Sequence, residues 1–476
     1  MLFNSLDFAI FLPVVFILYW FVFHKNIKSQ NTLLVVASYV FYGWWDWRFL
    51  FLILLSTVVD YGVGLALARQ QKKVRRKLLL LLSILVNIGL LSFFKYYNFF
   101  LDSFVTTFSF FGNSFEANRL SIILPVGISF YTFQTLSYTI DVYRERLKPT
   151  TNFVAFMAFV SFFPQLVAGP IERAKSLLPQ FFRKRSFNTD NAIIGIKQIV
   201  WGLFKKLVIA DTCAQYVNDI FANYQDVSST TLVLGLIYFV FQVYGDFSGY
   251  SDIAIGTARL FDFKLMVNFK YPFFSRSYRE FWQRWHISLF SWFRDYVYAN
   301  VRGKRPSQLW RVISISIVFV LCGLWHGATI NFMIWGFVCA LLYIPELFIK
   351  TKTHTRVVAQ KSFFPSLSEL LAMGYVFGTF CLGAVFFRAE TVSQAIAYLK
   401  RMGKFSHEFN LLGIYRYAYE ALPLVVLLVL IEWSGRKKEF PLYSEKMELV
   451  KTIGVIMAIV IWGNFDEMKQ FFYFQF

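Results

Sequence analysis

The chain has 476 residues, 57% of them hydrophobic and only 16% charged, with a formal net charge of +20. A soluble domain carries about 25% charged residues, so a water-soluble fold of this length is excluded: it could not hide this much apolar surface. The positive charge does not point to nucleic acid, because lysine and arginine gather in short stretches between apolar runs, as in cytoplasmic loops of membrane proteins.

A membrane-spanning helix needs roughly 17–25 mainly apolar residues. The first such run is 7–23. It follows Asp7 rather than a basic stretch, and its first lysine, Lys25, comes after it. The expectation is therefore a retained helix that starts outside, not a cleaved signal peptide. Residues 31–47 are apolar but short, suited to a span or a re-entrant segment, and 49–68 is a clear span. Arg69, Lys72, Lys73, Arg75, Arg76 and Lys77 then form the densest basic cluster, expected at the cytoplasmic face beside anionic headgroups.

Spans are expected at 78–94 and 121–140, separated by 102–118, which has no lysine or arginine and is placed outside. In the second span Tyr131, Gln134 and Tyr138 fall on one helical face, which suits either a polar cavity or interhelical hydrogen bonding. Residues 153–169 are a short apolar stretch. Residues 193–210 form a span in which Lys205 and Lys206 are expected to snorkel. The segment 212–228, again without basic residues, is placed outside, and 229–245 is the next span. It ends in Tyr244-Gly245-Asp246-Phe247-Ser248-Gly249-Tyr250-Ser251-Asp252, read as a glycine-broken polar element whose carboxylates either cap helices or bind a ligand.

From about Ser248 to Arg311 the long apolar runs stop, and arginines alternate with aromatic rings; the basic belt runs from Arg259 to Arg311. Such composition suits the membrane interface, so 276–300 is expected to form one or two interfacial helices. Residues 312–349 are long enough for two passes, followed by Lys350–Arg356, 367–387, 419–433, Arg436–Lys438 and 450–463. The segment 388–411 carries Arg388, Lys400, Arg401 and Lys404 although alternation places it outside, and charge alone gives no account of it. The total is ten to twelve spans in an all-α, polytopic helical bundle, taken as a single integral membrane domain over 1–476.

Of five histidines, His24, His354 and His407 sit among loop residues. His326, in Leu324-Trp325-His326-Gly327-Ala328-Thr329, has apolar residues on both sides. An ionisable residue inside a span is costly and marks function by default; its bland role is interhelical glue. There its ring is expected to be neutral and able to accept a proton. Gly327 leaves room for a close approach. His286 stands 40 residues earlier in the interfacial segment, beside Arg284 and Trp285 and before Arg294 and Asp295, as a proton shuttle, a tunnel residue or a simple interfacial anchor. Four scattered cysteines (213, 322, 339 and 381) show no CxxC spacing, and a third ligand at metal spacing is lacking, so no disulfide framework and no metal is expected.

The segments Phe281-Trp282-Gln283-Arg284-Trp285-His286-Ile287-Ser288-Leu289 and Gly323-Leu324-Trp325-His326-Gly327 resemble paired signatures of membrane-bound O-acyltransferases, nearest to the bacterial polysaccharide branch typified by alginate O-acetyltransferase. Residues 124–134, 168–173, 246–252, 386–390 and the terminal Tyr473-Phe474-Gln475-Phe476 carry the resemblance along the chain in the family's order. It implies a bundle around a catalytic tunnel, with His326 as the buried catalytic histidine and His286 as the second histidine near the cytoplasm. It further implies a cytoplasmic donor, commonly acetyl-CoA, with no permanently bound cofactor. The acyl group would pass outward, usually to a separate periplasmic or extracellular acetyltransferase that modifies a polysaccharide hydroxyl. A bacterial inner-membrane location follows. Trp325 and Asn331 are expected to position the reacting groups, with Tyr131, Gln134, Trp285, Arg284, Arg294 and Asp295 along the substrate path. The competing readings are a D-alanyl transferase using a carrier-protein donor and a transporter or flippase with a histidine proton relay; no paired repeat supports the latter.

Overall fold

The structure, a computed structural model, describes residues 1–110, 119–303, 307–349, 357–404, 417, 419–443, 448–465 and 471. His354, His407, the basic stretch Lys350–Arg356 and the terminal Tyr473–Phe476 lie outside the described residues. Every regular element among the described residues is helical. Six helical stretches are long and apolar enough to cross a membrane: Ile27–Arg69, Lys73–Ser109, Ser229–Leu260, Gln308–His326, Ile330–Leu347 and Leu367–Arg388. Leu6–Val22, Ala421–Gly435 and Leu449–Trp462 are shorter apolar helices. This is an all-α polytopic membrane protein. The chain divides into two compact units, Met1–Ala192 with Ala258–Leu265, and Ile193–Thr257 with Met266–Phe476.

In the first unit the helix Lys73–Leu91 is inside out by the standards of a soluble protein. It buries Ser83 and Asn87 while Leu78, Leu81, Leu82 and Leu85 stand exposed. Lipid makes this arrangement stable, since the outer face meets hydrocarbon and the inner polar groups must find partners within the protein. The partner is Asp60, fully buried on the helix Leu50–Arg69. Ser83 Oγ donates to Asp60 Oδ1 (2.5 Å) and Asn87 Nδ2 to Asp60 Oδ2 (2.9 Å). Ser56 and Thr135 hydroxyls donate in turn to Asn87 Oδ1 (2.7 and 3.2 Å). Thr135 lies on the helix Ile128–Tyr143, which is buried almost all round. The apolar stretch at 153–169 is helical only over Phe153–Ser161 and then turns.

In the second unit two expectations are corrected. The glycine-rich stretch 244–252 does not break its helix, which runs without interruption from Ser229 to Leu260. The glycines serve close packing instead: a Cβ on Gly249 would lie 2.7 Å from the Gly202 carbonyl oxygen, and one on Gly256 2.5 Å from that of Gly195. Small residues at this spacing let two helix backbones touch. Lys205 and Lys206 do not snorkel either. Both are buried, Lys205 against Asp252 (2.5 Å) and Lys206 against Asp211 and Asp246 (2.8 and 2.7 Å). The carboxylates at 246 and 252 therefore neutralise interior cations from mid-helix rather than capping a helix end.

The interfacial segment forms two short pieces, Tyr278–Trp282 and Ile287–Trp292, the latter continued by the turns Phe293–Tyr298 and Ala299–Arg302. Arg388 and Arg401, for which charge patterning had no account, have local partners. Arg388 donates to Asn218 Oδ1 (2.9 Å), and Arg401 stands in the last turn of the helix Val392–Gly403 and reaches the Val227 carbonyl (3.2 Å). A cation there complements the helix dipole.

Candidate active site

His326 is the last residue of the helix Gln308–His326, which stops at Gly327. A three-residue connection leads into the helix Ile330–Tyr343. The two helices meet at glycines. A Cβ on Gly323 would lie 2.0 Å from the Phe332 carbonyl oxygen, and one on Gly336 2.2 Å from that of Phe319. Gly327 leaves space for the Phe332 ring, which a Cβ there would meet at 2.1 Å. This close approach places Trp335 edge-on to the His326 ring (centroids 5.3 Å), with Phe387 (5.2 Å) and Trp325 (4.9 Å) completing the surround.

His286 is held differently. It adopts a left-handed backbone (φ 45°, ψ 51°) at the N-cap of Ile287–Trp292. For a residue with a Cβ this conformation costs on the order of 1–3 kcal/mol and persists only where neighbours over-determine it. Asn268 does so. Its carbonyl accepts from Ile287 N (2.9 Å), and its side-chain oxygen accepts from Ser288 N (3.2 Å) and Ser288 Oγ (2.9 Å). Its amide donates to Ser251 Oγ (3.2 Å), which ties the turn to the helix Ser229–Leu260.

These two supports bring the imidazoles together, with ring centroids 6.2 Å apart and planes at 54°. His286 is fully buried and stands edge-on to Phe247 (4.5 Å), with Trp325 at 5.7 Å. Burial, and secondarily the neighbouring His326, pushes the His286 imidazole well below its usual range, so it stays neutral at ordinary pH. A cavity of about 20 Å³ opens on His326, walled by Trp285, Trp335, Phe380 and Phe387 among others. Its volume is that of about one small group or water.

Of the residues singled out in the sequence, His286, His326, Trp285 and Trp325 are thus assembled in one aromatic chamber. Asn331 is buried and its amide donates to the Ala389 carbonyl (2.7 Å), fastening the start of its helix. Arg284 pairs with the buried Glu280 (2.6 Å), which also holds Arg276 (3.0 Å). Arg294 and Asp295 form an exposed pair at 2.8 Å. Tyr131 and Gln134 belong to the first unit, where both are buried and Gln134 donates to the Phe159 carbonyl (2.5 Å). Asn268 was not anticipated: it has no motif of its own, and only the backbone conformation of a residue 18 positions later gives it a role. Phe247, Phe387 and Trp335 read as ordinary span aromatics. No group of three or more metal-ligating side chains is found among the described residues.

Residues 39–382 match the family described as MBOAT, membrane-bound O-acyltransferase. The chain belongs to that family. It is 41% identical over 339 residues to a "Probable alginate O-acetylase AlgI" of Pseudomonas aeruginosa, a match covering 71% of this chain and 64% of that relative. The chain thus spans somewhat less than two thirds of the length of that protein. A "Peptidoglycan O-acetyltransferase" of Helicobacter pylori is 32% identical over 527 aligned positions, covering 100% of this chain and 98% of the relative. A "Teichoic acid D-alanyltransferase" of Bacillus subtilis is 28% identical over 235 positions, 47% of this chain and 58% of the relative. Both histidines of the chamber lie within the region that matches this O-acyltransferase family.

Proposed function

We propose that this member of the membrane-bound O-acyltransferase family transfers an acetyl group from a cytoplasmic thioester donor, acetyl-CoA, toward a hydroxyl of an exported or cell-envelope polysaccharide. The observation that carries the reading is the pair of buried imidazoles 6.2 Å apart inside a chamber walled by aromatic rings. A thioester is already activated. Its transfer needs a base for the incoming hydroxyl and exclusion of water, which would otherwise compete as acceptor. His326 takes the proton of the acceptor hydroxyl as its oxygen attacks the thioester carbonyl. The C–S bond then breaks, and the thiolate leaves with a proton returned to it. His286, held neutral in its left-handed turn, guides the donor or relays that proton. The basic belt from Arg259 to Arg311 attracts a phosphate-rich donor.

The hydroxyl acylated in that step is proposed to belong to a separate periplasmic or extracellular acetyltransferase that receives the acetyl group across the inner membrane, and that protein then places it on a hydroxyl of the glycan. The choice of a polysaccharide as final acceptor is supported by the two relatives named for O-acetylation of alginate and peptidoglycan. A D-alanyl donor on a carrier protein is the second reading, favoured only by the shorter match to the teichoic acid D-alanyltransferase. The deciding experiment is transfer from radiolabelled acetyl-CoA by purified protein in detergent, beside His326→Ala. Label reaching a hydroxyl acceptor or a partner with the wild type alone supports the reading. Absence of transfer by a folded wild type, with an envelope fraction supplied, turns the assignment to the carrier-protein donor.

A further inference from the structure

A second, larger cavity of about 510 Å³ lies in the second unit, against the Ile287–Trp292 helix. Its apolar wall is made by Trp282, Phe290, Val318, Phe319 and Leu347, and three arginines, Arg279, Arg294 and Arg311, line it as well. No carboxylate is among its described lining residues. Two acids that contact these cations lie outside its lining. Glu346 takes the backbone N–H of Arg279 (2.8 Å) and its carbonyl accepts from the guanidinium (2.8 Å), while Asp295 pairs with Arg294 at an exposed position (2.8 Å). An exposed pair of this kind contributes little and is readily exchanged for a better anion.

The cavity is a different one from that at His326. It shares no lining residue with the small cavity at His326. Trp282, on its wall, faces Trp335 at 6.4 Å, and Trp335 in turn stands 5.3 Å from His326, so aromatic rings separate the two. The flanking helices Gln308–His326 and Ile330–Tyr343 turn Leu309, Ile317, Leu321, Phe337 and Leu341 outward, the faces that meet hydrocarbon. The cavity itself combines apolar rings with cations, the pairing that a lipid's acyl carbons and phosphate require.

We propose that this cavity binds one anionic phospholipid, its phosphate held by Arg294 and Arg311 with Arg279 beside them, and its first acyl carbons laid against Trp282, Phe290 and Phe319. Guanidinium groups suit phosphate because they present paired N–H donors in a plane. The lipid braces the helix that begins at His286, since Ile287, Phe290 and Ser291 of that helix all line the cavity. The binding claim stands without the acyltransferase reading and is tested without it. Full-length protein is reconstituted in nanodiscs of phosphatidylcholine with phosphatidylglycerol, extracted, and examined by native mass spectrometry and by thermal unfolding. The expected result is one retained phosphatidylglycerol, preferred over phosphatidylcholine on the order of tenfold or more, with a higher Tm. Arg294→Glu with Arg311→Glu removes both effects; should that double variant not fold, Arg294→Gln with Arg311→Gln replaces it and weakens retention. Equal retention of phosphatidylcholine, or retention unchanged in the variants, overturns the proposal. So does displacement of the lipid by free coenzyme A, which would assign the cavity to the donor instead.

Discussion

The two units bury polar groups in different ways. In the first, one carboxylate, Asp60, is surrounded by neutral donors from Ser83 and Asn87, with Ser56 and Thr135 closing the network on Asn87. In the second, lysines and aspartates neutralise each other in the interior, and beside them two histidines face apolar rings. The first arrangement holds helices together with groups that are consumed by one another. The second separates the tasks: ion pairs and glycine contacts fix the helices, and the imidazoles are surrounded mainly by rings that exclude water. Buried polarity is thus paired within itself in the first unit, whereas in the second the groups proposed for the chemistry lie among aromatic neighbours.

Substitutions break this comparison at defined places. The largest effect is expected for His326→Ala, which should lower acyl transfer per folded molecule by about 10²–10⁴-fold, the usual worth of a general base, with membrane insertion intact. Near-normal transfer by this variant would falsify the proposed mechanism. Next comes Lys206→Met, which leaves Asp211 and Asp246 buried without their cation. A loss of about 3–5 kcal/mol is expected, read as a lower Tm in detergent, and restoration by the added change Asp246→Asn would sharpen the claim. Asn268→Ala removes the hydrogen bonds that hold the turn at His286. Its cost is about 1–3 kcal/mol, and kcat should fall more than KM rises because the strained His286 backbone relaxes. A change confined to Tm would make Asn268 merely structural. Asn87→Ala in the first unit should also cost about 1–3 kcal/mol, and here kcat per folded molecule should stay constant.

The smallest effect is in the pH dependence. Burial lowers the His286 proton affinity in the folded state, so the unfolded chain binds that proton first as pH falls. Stability is full above the ordinary histidine value of about 6.5 and declines as pH drops below it. His286→Gln should flatten that decline in an unfolding series between about pH 7 and 5, and an unchanged slope would locate the titration elsewhere.

Much of this was legible along the chain. Low charge content and long apolar runs are enough to specify spanning helices, because lipid allows few other ways to satisfy a backbone. Lone histidines in apolar or aromatic surroundings are conspicuous for the same reason, and His326 and His286 needed no structure to be noticed. The errors have one source. Gly245 and Gly249 read as a break, and Lys205 and Lys206 as snorkelling, because a sequence shows a residue's own preference and not the helix opposite it. Only packing reveals that Gly249 receives the Gly202 backbone and that Asp211, Asp246 and Asp252 wait for the two lysines.

The sequence by itself thus determined that the chain lives in a membrane, that it is helical, and which histidines stand where ionisable groups are expensive, since these follow from local composition and the cost of desolvation. Tertiary structure alone decided that the two histidines share one chamber, that Asn268 holds His286 in a left-handed turn, and that three arginines line a separate apolar cavity. Each of these depends on contacts between segments far apart in sequence, which local preference does not encode.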